Sequence, residues 1–285
     1  MNSSLTSLIH HPLAVVSCPP LTLKTHPPRT QARALQAHIE NTALSGGGGQ
    51  AERALATLRG FGGSAVLVSS NLRRALATAV IGLWGRLAQG DRLLVLSELQ
   101  EISRNPDTLA LAPPGGVPDL DSLFSQLGPQ FHYGVLDGST HNGSKPLRGN
   151  GLTRLTAFAN WVFTRSEDTV VATGHSLYFK HFFNTFLPAD ATVRLAPSHV
   201  LCVSLSLPLP LSAFALSDTP TSHTLTLTLT HTHPKGVQGV AAAARSKKMT
   251  NCGMVTFTLE CSRVGGRTVH RIDPASVCVL YGKIG

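Results

Sequence analysis

Charge is scarce in this chain. Only 14% of its 285 residues are Asp, Glu, Lys or Arg, against an average of about 25%. Acid is scarcer still: 15 Asp and Glu stand against 24 Lys and Arg, a formal balance of +9, and none precedes Glu40. Such an excess is either a solvated basic surface or an adaptation to an anionic partner. A nucleic acid is disfavoured as that partner. Aromatics make up 6% of the chain, and the Lys and Arg residues are scattered, without the aromatic interleaving of a base-stacking surface. Cysteine is sparse and odd in number: Cys18, Cys202, Cys252, Cys261 and Cys278, with no CxxC pair. That suggests neither a disulfide framework nor a zinc site, and reduced thiols in an intracellular compartment fit best. A long uninterrupted apolar run is also missing. The best candidate, "LCVSLSLPLPLSAFAL", is broken by Pro208 and Pro210, so no membrane span is expected. The acid-free start resembles a transit segment but carries too little arginine. A cytoplasmic protein is expected.

What is present is a good apolar supply, 42% of residues, arranged in alternating periods. Residues 1–30 read as irregular, broken by Pro12, Pro19, Pro20, Pro27 and Pro28. "RTQARALQAHIENTAL" predicts a helix, "SGGGGQ" a connector, and "ERALATLRG" a second helix. "SAVLVSS" predicts a buried strand, "NLRRALATAVIGLWGRLA" a helix, and "DRLLVLSEL" another strand. Leu152, Leu155, Phe158, Ala159 and Val162 recur at helical spacing. "TVVAT", Thr169 to Thr173, predicts a buried strand, followed by an aromatic-rich helix, Leu177 to Phe186. "GMVTFTLE" and "RTVHRIDP" predict a closing hairpin across "CSRVGG". The alternation implies an α/β protein with a central, largely parallel sheet whose edge is mixed. Ser204–Ser246 stands apart. It is repetitive and biased, and is expected to pack poorly outside the sheet. The expected organisation is therefore an irregular segment 1–30 and a domain 31–285 interrupted at 204–246. The histidines His223, His231 and His233 lack carboxylate or cysteine companions, so no metal is expected there.

The chemistry-bearing stretch is "SSNLRRALATA". A strand ends at Ser69-Ser70, and Arg73 and Arg74 fall in the first turn of the next helix. Free backbone N–H groups and the positive dipole end already face an anion there, and a guanidinium fork matches two phosphate oxygens. The equally simple alternative is a pair of arginines on a solvated helix face. A second stretch, "VVATGHSLYF", stops a buried strand at Gly174-His175-Ser176, where an α/β protein presents polar side chains to a ligand.

The pattern Ser70-x-Leu72-x-Arg74-Ala75, with Thr78 a turn later, resembles the second signature of the histidine phosphatase superfamily, the phosphoglycerate mutase-like proteins. Other pieces follow in that family's order: "PPLTL…RTQARALQAHI", "ELQEISRN", "VVATGHSLYF", "KKMTNCGMVTFTLE" and "HRIDP". The resemblance spans roughly residues 19–196 and 246–275. It implies a three-layer α/β/α sandwich and a phosphoryl-transfer or phosphate-ester hydrolysis reaction through a phosphohistidine. It implies a small phosphorylated substrate and no cofactor. Carried over, Arg74 matches the phosphate-binding arginine, with Ser70 and Asn71 beside it, and His175 matches the second histidine. The proton donor is Glu98 or Glu101. On an extended segment these would face opposite ways, and Glu101 is preferred because Ile102 follows it.

The sequence departs from the family at its nucleophile. No Arg-His-Gly occurs. His10 and His11 have no adjacent arginine and no following glycine, and "PLAVVS" supplies a strand with nothing at its carboxyl end to attack phosphorus. Losing a nucleophile removes on the order of 10⁶ in rate. Three readings follow: a phosphoryl-transfer enzyme, a catalytically inactive phosphate-binding pseudoenzyme or incomplete gene product, and a basic nucleic-acid binder. On the second, the chain hydrolyses an aryl phosphate no better than its own His175→Ala variant while still binding phosphate.

Overall fold

Helices alternate with strands along most of the chain. The structure, a computed structural model, describes residues 9–18, 27–44, 49–103, 105–146, 149, 151–188 and 235–284. In chain order the elements are β1 (Ile9–Cys18), α1 (Pro27–Asn41), α2 (Gln50–Leu58), β2 (Ala65–Ser70), α3 (Arg73–Gly82), α4 (Trp84–Leu87), β3 (Leu93–Leu96), α5 (Asp121–Leu127) and β4 (Leu136–Asp137). They continue with α6 (Gly151–Val162), β5 (Thr169–His175), α7 (Ser176–Phe186), α8 (Lys235–Ser246), β6 (Met254–Val264), β7 (Arg267–Ile272) and β8 (Cys278–Tyr281).

The strands form one sheet in the order β4-β3-β2-β5-β1-β6-β7, with β8 also paired to β6. The pairs β4–β3, β3–β2, β2–β5 and β5–β1 are parallel, and every pair involving β6 is antiparallel. The central strands are apolar on both faces, as a sheet covered on both sides requires. Their period of two sorts the core into two layers. Ala14, Val16, Leu67, Val95 and Val171 face α1, α2 and α3, where they meet Leu35, Ile39, Leu55, Leu76 and Ala79. Leu13, Val15, Val68, Val170, Ala172 and Phe257 face α6, α7 and α8, where they meet Phe158, Tyr178, Phe179, Phe182 and Phe183. The fold is thus the expected three-layer α/β/α sandwich with a largely parallel, mixed-edge sheet.

Three local expectations change. The segment read as irregular carries β1, longer than the "PLAVVS" strand read within it and set between β5 and β6. Pro12 is tolerated because the β5 ladder begins only at Leu13, so its missing N–H interrupts no bond on that side. Within the segment expected to pack poorly, 204–234 lies outside the described residues, but Lys235–Ser246 is a helix. Its Ala241 and Ala244 are buried in the α6–α7 layer, and Arg245 Nη1 donates to the Pro188 carbonyl at 2.9 Å. A run of small, strongly helix-forming alanines lets the helix approach closely. The single helix expected from Asn71 to Ala88 breaks at Leu83, whose φ of −108° and ψ of 17° leave the helical basin between α3 and α4. No helix among the described residues is long and apolar enough to cross a membrane.

Candidate functional site

The carboxyl ends of β1, β2 and β5 lie side by side. Cys18 pairs in register with His175 across the β1–β5 ladder, and β2 ends one strand over at Ser70. By the strand period, Cys18 continues the row of Ala14 and Val16, and His175 continues the row of Val171. Both side chains therefore lean toward the layer that holds α3, the helix carrying Arg74. Gly174 makes the turn into α7 feasible: a Cβ there would stand 3.0 Å from the Phe179 ring.

His175 is the hub, and only 1% of it is exposed. Its Nδ1 accepts from Arg74 Nε at 3.3 Å and lies 3.0 Å from Cys18 Sγ. Its Nε2 lies 2.8 Å from Ser70 Oγ. Because a guanidinium can only donate, Nδ1 carries a lone pair and the ring proton sits on Nε2, which donates to Ser70. Glu101 Oε2 lies 3.8 Å from the same Nδ1, while its Oε1 accepts from the Ile102 amide at 2.9 Å. Burial holds the imidazole well below its ordinary range, and the nearby cations Arg74, Lys145 and Arg154 push the same way. It is a neutral ring at pH 7. Burial raises the Glu101 carboxyl, against the opposing pull of Arg74 and Lys145.

Two further cations are anchored by backbone. Lys145 Nζ donates to the carbonyls of Glu101 and Ser103. Arg154, from α6, donates through Nη1 to the Gln100 carbonyl and through Nη2, at 3.4 Å, to that of Glu101. Neither residue has a sequence pattern that marks it, since one sits in a loop and the other on a helix of ordinary composition. Cys18 was missed for another reason. The prolines after it read as breakers, although the residue before a proline is biased to extended backbone, and β1 runs one residue past Ser17. The strand thus ends on a buried thiol, one residue beyond the stretch read from the sequence.

The structure therefore brings Ser70, Arg74, Glu101 and His175 together. Asn71 is turned away from them. Its Nδ2 donates to the Gly143 carbonyl at 3.1 Å and lies 3.0 Å from His141 Nε2. Its Oδ1 is buried with no partner among the described residues. The adjacent arginines separate: Arg73 points outward to Asp119 at 3.2 Å, both largely exposed, and Arg74 points inward. The carboxylates separate too, though not because the segment is extended, for Ser97–Leu99 is a 3₁₀ turn. That turn sends Glu98 toward the charge environment of Tyr178 and leaves Glu101 beside His175. His10 and His11 lie at the other end of β1. His10 is 3.5 Å from Glu260, and the His11 ring packs edge-on against Phe163.

No protein-family model matches the chain, and no curated protein matches it. Solved structures do. One is an Escherichia coli K-12 protein assigned as an alpha-ribazole-5'-P phosphatase, at 10% identity over 92% of this chain and 95% of that one, with a TM-score of 0.38. Another is the Mycobacterium tuberculosis open reading frame Rv3214, at 13% identity over 92% and 95%, with a TM-score of 0.36. Superpositions this loose, at this identity, carry neither an activity nor site residues across.

Proposed function

We propose that the carboxyl ends of β1, β2 and β5 form a binding site for the phosphoryl group of a small phosphate monoester, in a chain of the histidine phosphatase type. One observation carries this reading: Arg74 Nε meets the buried His175 ring at 3.3 Å, Glu101 lies 3.8 Å from the same nitrogen, and Lys145 and Arg154 are both anchored on the Glu101 carbonyl. Cations gathered around one strand end favour an anion there, and a dianionic phosphoryl group fits that charge. Arg74 supplies the forked donor, Ser70, whose Oγ accepts from His175 Nε2, supplies a hydroxyl proton, and the bond from Asn71 Nδ2 to the Gly143 carbonyl anchors the turn between Ser70 and α3. Glu101, raised toward its protonated form, is suited to hand a proton to a leaving oxygen. Phosphoryl transfer asks a protein mainly for such positioning and charge stabilisation.

The test is a calorimetric titration of the full chain with inorganic phosphate and with vanadate. Saturable binding that Arg74→Ala removes, with the fold intact by circular dichroism, supports the site. Binding that survives Arg74→Ala unchanged refutes it.

A further inference from the structure

At the carboxyl end of β1 a thiol stands where the proposed phosphoryl site needs an attacking group. Cys18 Sγ is 3.0 Å from His175 Nδ1, is 3% exposed, and shares a hydrogen bond with Arg74. A nucleophile within hydrogen-bond reach of a base, with the base oriented by a third group, is the recurring arrangement of covalent catalysis. Here the base is His175, and Ser70 Oγ orients it through Nε2 at 2.8 Å. The cation for the phosphoryl oxygens, Arg74, touches both partners of the pair.

We infer that Cys18 is the nucleophile of this site, forming a phosphocysteine from a phosphate monoester. The inference rests on the phosphoryl-binding reading above. In the first half-reaction the S–P bond forms as the ester P–O bond breaks. The thiol proton passes to His175 Nδ1, and the leaving oxygen takes a proton from the Glu101 carboxyl. In the second, water attacks phosphorus, its proton goes to the Glu101 carboxylate, and the S–P bond breaks. The departing sulfur recovers its proton from His175. Ester and water give alcohol and phosphate, and every group returns to its starting state.

Burial pushes the Cys18 thiol up and the His175 imidazole down, so the resting pair is S–H···N and not an ion pair. The proton moves as sulfur attacks. A bound phosphoryl dianion favours that movement by offsetting the three cations that depress the imidazole. Free Cys18 is therefore expected to alkylate slowly at neutral pH, unlike a preformed thiolate.

The experiment uses the full chain and p-nitrophenyl phosphate, whose leaving group needs no acid. Glu101→Gln removes the base of the second half-reaction and holds back hydrolysis of the intermediate. The expected result is a p-nitrophenol burst of about one equivalent and, after rapid quenching, a phosphoryl group on the Cys18 peptide by mass spectrometry. Turnover by Cys18→Ala should fall at least about 100-fold, with the phosphate affinity of both Cys18→Ala and Cys18→Ser within about threefold of the parent chain. A phosphoryl group on His175 overturns the inference. So does the absence of burst and adduct while phosphate binding still depends on Arg74; that result leaves the binding site standing. No phosphate binding by the parent chain sinks the binding reading itself, and this inference with it.

Discussion

The parallel strands have two ends, and the chain treats them differently. At the amino ends a cavity of about 630 Å³ opens between α2 and the sheet, lined by Ala14, Ala54, Leu58, Val171, Thr256 and Thr258. Its charged neighbours, Arg53 and Asp168, are on the rim, and Asp168 spends its carboxylate on the amide and hydroxyl of Ser64. At the carboxyl ends there is little exposed surface. Ser70 and His175 are buried to within 1%, with Cys18 and Arg74 packed against the same ring. One end keeps charge at the surface and apolar walls inside. The other sets half-buried charge, Arg74 and Glu101, against buried polar side chains. Strand carboxyl ends are where α/β proteins place ligands, and the proposed phosphoryl site lies at this second end.

The largest expected effect separates the ends through anion binding. Arg74→Ala should weaken phosphate binding by about 100-fold or more, the loss of two charge-assisted hydrogen bonds. Asp168→Ala at the opposite end should leave phosphate affinity unchanged. Equal losses in both variants, read by calorimetry, would erase the distinction between the ends.

A smaller effect lies in stability against pH. The native carboxyl of Glu101 binds its proton more tightly than in the unfolded chain, so between pH 4.5 and its raised native value the native state holds more protons. Stability contributed by that proton is present below pH 4.5 and lost as pH rises through the native value. Glu101→Gln should therefore match the parent chain at low pH and be more stable than it at neutral pH, by thermal melts. His175 has the opposite sign of charge and the opposite slope. Its native pKa lies below the unfolded 6.5, so the unfolded chain takes up more protons as pH falls below 6.5, and native stability is lost there. His175→Gln should flatten that acid limb. A melt profile with unchanged shape in both variants would place these groups in solvent.

Much of this was legible in the sequence, for physical reasons. Ala65–Ser70 and Thr169–Thr173 are short runs of small and β-branched residues between turn signals, and buried parallel strands have few other ways to be written. The polar residues that end them, Ser70 and His175, were marked by the same abrupt change. Legibility failed where structure is tertiary. Lys145 and Arg154 reach the site only because backbone carbonyls of Gln100, Glu101 and Ser103 hold them there. Glu98 and Glu101 were separable only through a 3₁₀ turn that no periodicity announces. The strands β4 and β8 are too short to carry a period. Cys18 was hidden by proline-rich neighbours, and α8 by the biased composition around it.

The smallest expected effect sharpens the difference between adjacent arginines. Arg73 is paired with Asp119 at the surface, where an ion pair contributes about 0–1 kcal/mol. Arg73→Ala should change phosphate affinity by no more than about twofold, through long-range attraction alone. A loss as large as that of Arg74→Ala would mean the helix start faces the ligand with its other side.

The most direct test of the central claim is a crystal structure of the full chain soaked with vanadate, whose density is unmistakable. The account predicts the oxyanion at the carboxyl ends of β1, β2 and β5, within hydrogen-bond distance of Arg74 and against His175. Vanadate seated instead in the Arg53–Asp168 cavity, with the carboxyl ends empty, would contradict it.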